Sequence, residues 1–409
     1  MNRVAVTGAG VISPIGVTLP QFHSALAAGR SGVRRLPVEI AGASGVEVGA
    51  RVEWDPLTLL KPNEASALDR VSQLAIGAAT QALESSGIDL GAADRDRIGV
   101  YWGTGLGGAQ TLETAYKTHH EPGNARLRPL TVVMAMTNAA GSNIAMRFGL
   151  RGVFANFSTA CSSSAIAIGE AMRVIAAGRA DAVLVGGSES LLTPGTLAAW
   201  LALRTLAPID RDDASASCKP FDRRRAGLVL GEGAAAFVLE SERHAKARGA
   251  RIYGYISGYG NTCDAAHISR PDPRGQARAM RDALDEAGLA PRDIAYINAH
   301  GTATAVGDTV EAQAINAVFT GHVADVRVSS TKSLHGHLLG AAGALELAVA
   351  LYALQEGVIA PTAFLEDPDP ACELRHVAMK AEHIAPPAAV MSSSFAFGGS
   401  NAVLVATRA

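Results

Sequence analysis

The chain has 409 residues, 48% hydrophobic and only 18% charged, with 43 glycines and a formal net charge of −2 from 36 basic and 38 acidic side chains. This excludes a mostly disordered chain and gives no sign of a nucleic-acid surface, while the length suffices for two α/β units packed on each other. Four cysteines, far apart and with neither CxxC nor zinc spacing, fit a reducing cytoplasm, which is the expected location.

The opening VAVTGAGVISPIG reads as a strand, a glycine turn and a proline-marked loop; one Arg precedes it, but no long apolar run ending in a small-residue cleavage site follows, so no leader peptide is expected. Gly8 and Gly10 match two glycines of GxGxxG. Ser13 replaces the third, and Pro14 falls where a phosphate-cradling helix would start, so a dinucleotide site is disfavoured. Residues 66–87 show helical spacing and stop at Gly87; 96–108 read as a strand entering a glycine-rich loop, and 129–149 as a loop and a small-residue helix. The centre is a strand (153–160), a helix (161–178) and a strand (180–190), the pattern of a sheet covered on both faces. Arg223, Arg224 and Arg225 after Asp222 read as a solvated surface turn.

The charged run 241–251 marks a boundary near residue 250, between halves 1–250 and 251–409 of related layout. The second half reads as strands at 293–303 and 325–333, a helix over 335–357, and a strand pair around a glycine loop at 388–407. The apolar stretch 338–354 is interrupted by Glu346 and reads as a buried helix, not a membrane span.

Cys161 stands where a strand hands over to a helix, where free backbone N–H groups and the helix field favour a thiolate and can hold an oxyanion. A buried core cysteine is the plain alternative. His300 and His337 each lie at or just beyond a strand end beside small residues, with Asp308 and Glu311 on the first turn of a helix after His300. Catalytic groups of α/β folds gather at the carboxyl ends of strands, so one thiol and two imidazoles make a candidate site. A metal centre is the rival reading, disfavoured because no further ligand follows at short range. Lys332 reads either as a surface salt bridge or, beside small residues, as a buried charge with a partner; Glu346, set among Ala and Leu, needs a partner as well.

The segments VTGAGVISPIG, STACSSSAIAIGEA, KPFDRRRAGLVLGEGAAAFVLE, NAHGTATAVGD, SSTKSLHGHLLGAAGALE and FAFGGSNAVLV occur in this order. On them the chain resembles the elongating type II β-ketoacyl-acyl-carrier-protein synthases over almost its whole length. The resemblance implies a thiolase-like fold, two similar layered α/β halves with mixed sheets and covering helices. It also implies Cys161 as the acyl-accepting nucleophile, with His300 and His337 assisting malonyl decarboxylation. Lys332 and Glu346 match the pair that orients the site. Phe397 matches the residue that gates acyl access, its N–H joining that of Cys161 in the oxyanion hole. Thr302 and Thr304 match contacts to the phosphopantetheine arm, and Leu106, Thr131 and Phe395 fall to the substrate pocket.

The implied reaction loads an acyl group from acyl carrier protein onto Cys161 and condenses it with malonyl carrier, releasing CO2, without a metal or redox cofactor. The implied partners are acyl carrier protein and a second identical chain, or else a related ketosynthase or chain-length-factor-like subunit. Thr131 stands where elongation enzymes often carry an aromatic residue, and Ala396 and Ser400 where Gly and Thr are more usual. These departures leave the acyl substrate open between fatty-acid elongation and a specialised aryl-polyene or polyketide pathway. A thiolase lacks support because the second cysteine is missing from FAFGGSN, a chain-length factor because Cys161 is present, and a non-catalytic scaffold would not need these residues at strand ends.

Overall fold

Ten strands carry the architecture: β1 (Val4–Ile12), β2 (Ile98–Gly103), β3 (Phe154–Phe157), β4 (Ala182–Glu189), β5 (Gly233–Ser241), β6 (Gly254–Cys263), β7 (Tyr296–Asn298), β8 (Arg327–Ser329), β9 (Ala389–Phe395) and β10 (Ser400–Thr407). The computed structural model describes residues 3–121, 123 and 126–409. The first five strands lie in the order β1-β5-β4-β2-β3 and the last five in the order β6-β10-β9-β7-β8. Both sets run antiparallel, antiparallel, parallel, parallel from first strand to last. The two related halves expected from the sequence are therefore the same motif twice. They are not separate sheets, because Val4 to Val6 of β1 pair antiparallel with Gly254 to Ile256 of β6.

Six helices fill the matching positions: α1 (Arg70–Ser86), α2 (Ala139–Phe148) and α3 (Ser163–Ala176) in the first half, and α4 (Pro273–Ala287), α5 (Ala305–Val318) and α6 (Ala342–Glu356) in the second. α1 and α2 cover one outer face and α4 and α5 the other, each over its own apolar cluster. α3 and α6 lie between the halves in the largest cluster and are buried on nearly every side, which their runs of Ala, Gly, Leu and Ile allow. Among the described residues no helix is long and apolar enough to cross a membrane.

Two local expectations change. The helix expected over 335–357 begins only at Ala342, after a short helix Lys332–His335 and a single tight turn Leu339–Ala341. Gly336 at φ +70° and Leu339 at φ +43° interrupt the helical geometry and leave His337 in the turn. The three arginines are also not a uniformly solvated turn. Arg223 and Arg224 are half-exposed beside Asp367, Asp222 and Glu366, but the Arg225 side chain is only 6% exposed, pairs with Asp369 at 2.6 Å and donates to the Thr304 and Ala305 carbonyls.

The opening glycines serve packing. A Cβ on Gly8 would lie 2.1 Å from the Ala82 carbonyl oxygen, and one on Gly10 would lie 2.2 Å from that of Ala78, so α1 rests directly on the β1 backbone. Gly10→Ala is expected to force strand and helix apart and cost about 1–3 kcal/mol, read as a lower urea midpoint. An unchanged midpoint would show that α1 can lift at no cost.

Candidate active site

β3 ends at Phe157, and the chain turns sharply into α3 through Ala160, held at φ +52°, a left-handed conformation that alanine rarely adopts. The Ser163 hydroxyl fixes the turn by accepting the Thr159 N–H at 2.9 Å and donating to the Ala160 carbonyl at 2.7 Å. Cys161 sits on this turn, 4% exposed. Burial pushes its thiol up to about 12, although the Lys332 charge and the Phe397 backbone N–H pull it down. The rise from 9.0 corresponds to about 4 kcal/mol. A helix N-terminus contributes at most ~2 kcal/mol. Desolvation therefore outweighs the helix field and favours the thiol over the stabilised thiolate expected from the sequence.

A base lies within reach. His337 places Nε2 3.0 Å from Cys161 Sγ. Burial, then the Lys332 charge, holds both His337 and His300 well below the usual histidine range, so both imidazoles are neutral. The His300 ring meets His337 edge-on at 5.3 Å and Phe395 edge-on at 6.1 Å. Its main chain is held by Glu311, whose carboxylate accepts the His300 and Gly301 N–H groups at 2.7 Å each. Lys332 is fully buried, 3.4 Å from His300 Nδ1, and forms an ion pair with the equally buried Glu346. Burial raises the Glu346 carboxyl to about 7 and the Lys332 ammonium opposes that rise.

These groups open into a cavity of about 390 Å³. Cys161, His300, His337, Thr302, Thr304, Phe395 and Phe397 all line it. The Thr302 and Thr304 hydroxyls are 3.0 Å apart, and Thr304 also caps α5 by accepting the Gly307 N–H at 3.2 Å. Leu106 and Thr131 are not in this cavity. Leu106 is 52% exposed on the loop after β2, and Thr131 borders a separate depression and donates to the Arg128 carbonyl at 2.7 Å.

Sequence reading passed over two cavity residues. Trp200 stacks on Phe397 with ring centres 6.0 Å apart, and Gln276 is 2% exposed with its Oε1 unpartnered among the described residues. The donor atoms of Cys161, His300 and His337 lie within 4.8 Å of one another, a spacing a thiophilic cation could bridge, but the neighbouring Lys332 ammonium opposes a second positive charge.

Residues 1–245 match the family model for the β-ketoacyl synthase N-terminal domain and residues 253–366 that for the β-ketoacyl synthase C-terminal domain. The chain belongs to the β-ketoacyl synthase family. It is 39% identical to 3-oxoacyl-[acyl-carrier-protein] synthase 2 of Coxiella burnetii over 100% of this chain and 99% of the relative. It is 41% identical to nodulation protein E of Rhizobium meliloti over 98% of each chain. Among solved structures it matches the ishigamide ketosynthase/chain length factor with TM-score 0.93 and 31% identity, covering 100% of this chain and 99% of that one. This β-ketoacyl synthase thus matches each of these relatives over 98% or more of both chains.

Because the thiol titrates far above neutrality, iodoacetamide alkylation of Cys161 should climb about tenfold per pH unit from about pH 7 to 10. A plateau below pH 9 would reveal an activated thiolate instead. Lys332→Ala strands the buried Glu346 carboxylate and should cost about 3–5 kcal/mol of folding stability, measured as a shift in urea midpoint. No shift would mean that the pair is reached by water.

Proposed function

We propose that the chain is a β-ketoacyl-[acyl-carrier-protein] synthase, with Cys161 the nucleophile and His300 and His337 the polar groups of the condensation. The observation that carries this reading is the Cys161 Sγ–His337 Nε2 contact at 3.0 Å beside a second neutral imidazole and one buried lysine. Cys161 sulfur attacks the carrier thioester while His337 Nε2 takes the thiol proton. The carrier thiol leaves with a proton and the acyl group stays on sulfur. The N–H groups of Cys161 and Phe397 face the oxyanion formed on the way.

In the second stage the malonyl C–C bond breaks, CO2 departs, and the electron pair moves onto the thioester oxygen. The neutral imidazole N–H groups of His300 and, with its proton on Nε2 rather than Nδ1 at this stage, of His337 stabilise that developing charge, which is why their lowered proton affinity matters. The enolate carbon then attacks the acyl thioester, and Cys161 sulfur leaves as a thiolate and takes a proton from solvent, the one proton consumed as the malonyl carboxylate departs as CO2. Lys332, paired with Glu346, sets the local field without exchanging protons with substrate. Thr302 and Thr304 face the carrier arm. In this reading residues 1–250 supply the nucleophile and 251–409 both histidines.

The carrier is acidic in this reading, since the exposed Arg204 and Arg270 line the mouth of the cavity. A second subunit covers the apolar face that carries Leu106, Val132, Val133, Met136, Met146 and Phe154, all 45% exposed or more. Phe154 belongs to β3, the outer strand of the first half, whose free edge invites a symmetric partner. We assign that partner to a second copy of this chain and the pathway to fatty-acid elongation. The likeness to a ketosynthase/chain-length-factor pair favours, as a second reading, a related subunit and a specialised acyl chain.

Intact-mass measurement after incubation with acyl-carrier thioesters tests the assignment. Cys161 should gain the acyl mass, Cys161→Ala should gain none, and His300→Ala or His337→Ala should lose malonyl decarboxylation by about 100-fold or more. Full activity in either histidine variant would remove its assigned role. Loading that appears only with a second, different subunit would favour the heterodimer.

A further inference from the structure

Glu189 closes β4, is fully buried, and has no part in the chemistry assigned above. Its Oε2 accepts the N–H of Gly105 at 2.6 Å and of Gly340 at 3.0 Å; its Oε1 accepts the N–H of Leu106 and the hydroxyl of Thr104 at 3.4 and 3.3 Å. These donors come from two loops in different halves. One follows β2, and the other is the turn between His337 and α6.

The loops meet backbone to backbone. A Cβ on Gly340 would lie 2.3 Å from Gly105 N, and one on Gly105 would lie 2.7 Å from Glu189 Oε2. Within the same turn Leu339 is held at φ +43° and packs, 4% exposed, in the apolar cluster that includes Cys161. A leucine in that conformation persists only where its surroundings over-determine it. Glu189 ties the turn down through Gly340, and His337 lies just before that turn.

We propose that Glu189 is a positioning residue for the condensation: its carboxylate clamps the Gly105–Leu106 loop to the Leu339–Gly340 turn and so sets the approach of His337 to Cys161. This inference rests on the ketosynthase reading. Burial raises the Glu189 carboxyl to about 7 even though the N–H groups of Gly105, Gly340 and Leu106 oppose that rise and favour the anion. A neutral amide in its place keeps the volume but turns an NH2 group toward N–H donors, so at least one of them loses its acceptor.

Glu189→Gln is the test. Active sites are counted by acyl loading of Cys161, and condensation is then measured per loaded site. The expected result is a kcat per site lower by about tenfold or more, with KM for both carrier substrates within about twofold of wild type. Glu189→Asp, which keeps the anion, should recover part of the loss. A kcat per loaded site equal to wild type overturns the proposal, as does an activity loss that only tracks the number of sites lost to misfolding. If the Gln variant does not fold, Glu189→Asp carries the same comparison: lowered kcat at unchanged KM supports the clamp, and wild-type kcat overturns it. Absence of condensation by the wild-type enzyme would overturn the ketosynthase reading and this inference together, whereas an active wild type beside an equally active Gln variant overturns the clamp alone.

Discussion

The amino ends of α3 and α6 approach with almost nothing between them, and that contact places the whole site. A Cβ on Gly343 would lie 2.7 Å from the Ala165 Cβ, and the Ser164 hydroxyl accepts the Ala344 N–H at 2.9 Å. Cys161 stands just before one helix and His337 just before the other, so helices this close bring thiol and imidazole into contact. Both arise from the same connection, β3 to α3 in one half and β8 to α6 in the other. Repetition of one motif supplies the scaffold, and divergence of the two loops supplies the proposed nucleophile on one side and a lysine and histidine on the other.

Dryness then governs the chemistry. With its neighbours removed from water, one buried ammonium acts on every group nearby: it opposes protonation of His300 and His337 and pulls the Cys161 thiol down from where burial alone would put it. The Lys332–Glu346 pair is a poor source of stability, since the cost of desolvating two charges offsets much of their attraction. In the proposed reaction its value is a fixed field in a low-dielectric site that needs no rearrangement as charge moves.

Much of this was legible along the chain because strand and helix periodicity are local. The strand–cysteine–helix unit and the histidines beyond β7 and β8 follow from short stretches of sequence, whereas the pairing of Lys332 with Glu346 came from the family resemblance. Failures came where distant backbone decides. The run before α6 looks helical, but contact with the loop after β2 holds it as a turn. Arg225 looks solvated beside its two neighbours, yet it reaches Asp369, far away in sequence. Glu189, Trp200 and Gln276 carry no local mark at all, because each matters through residues brought to it by the fold.

The sequence by itself determined the family, the order of the elements and the identity of the thiol, the two imidazoles and the lysine, since residue type and strand-end position are properties of a short segment. Tertiary structure alone decided that burial favours the thiol form of Cys161, that His337 is the imidazole touching it, and that Leu106 and Thr131 stay outside the cavity. The physical reason is that desolvation and hydrogen bonding depend on every atom within a few ångströms, and in this fold most of those atoms come from the other half of the chain.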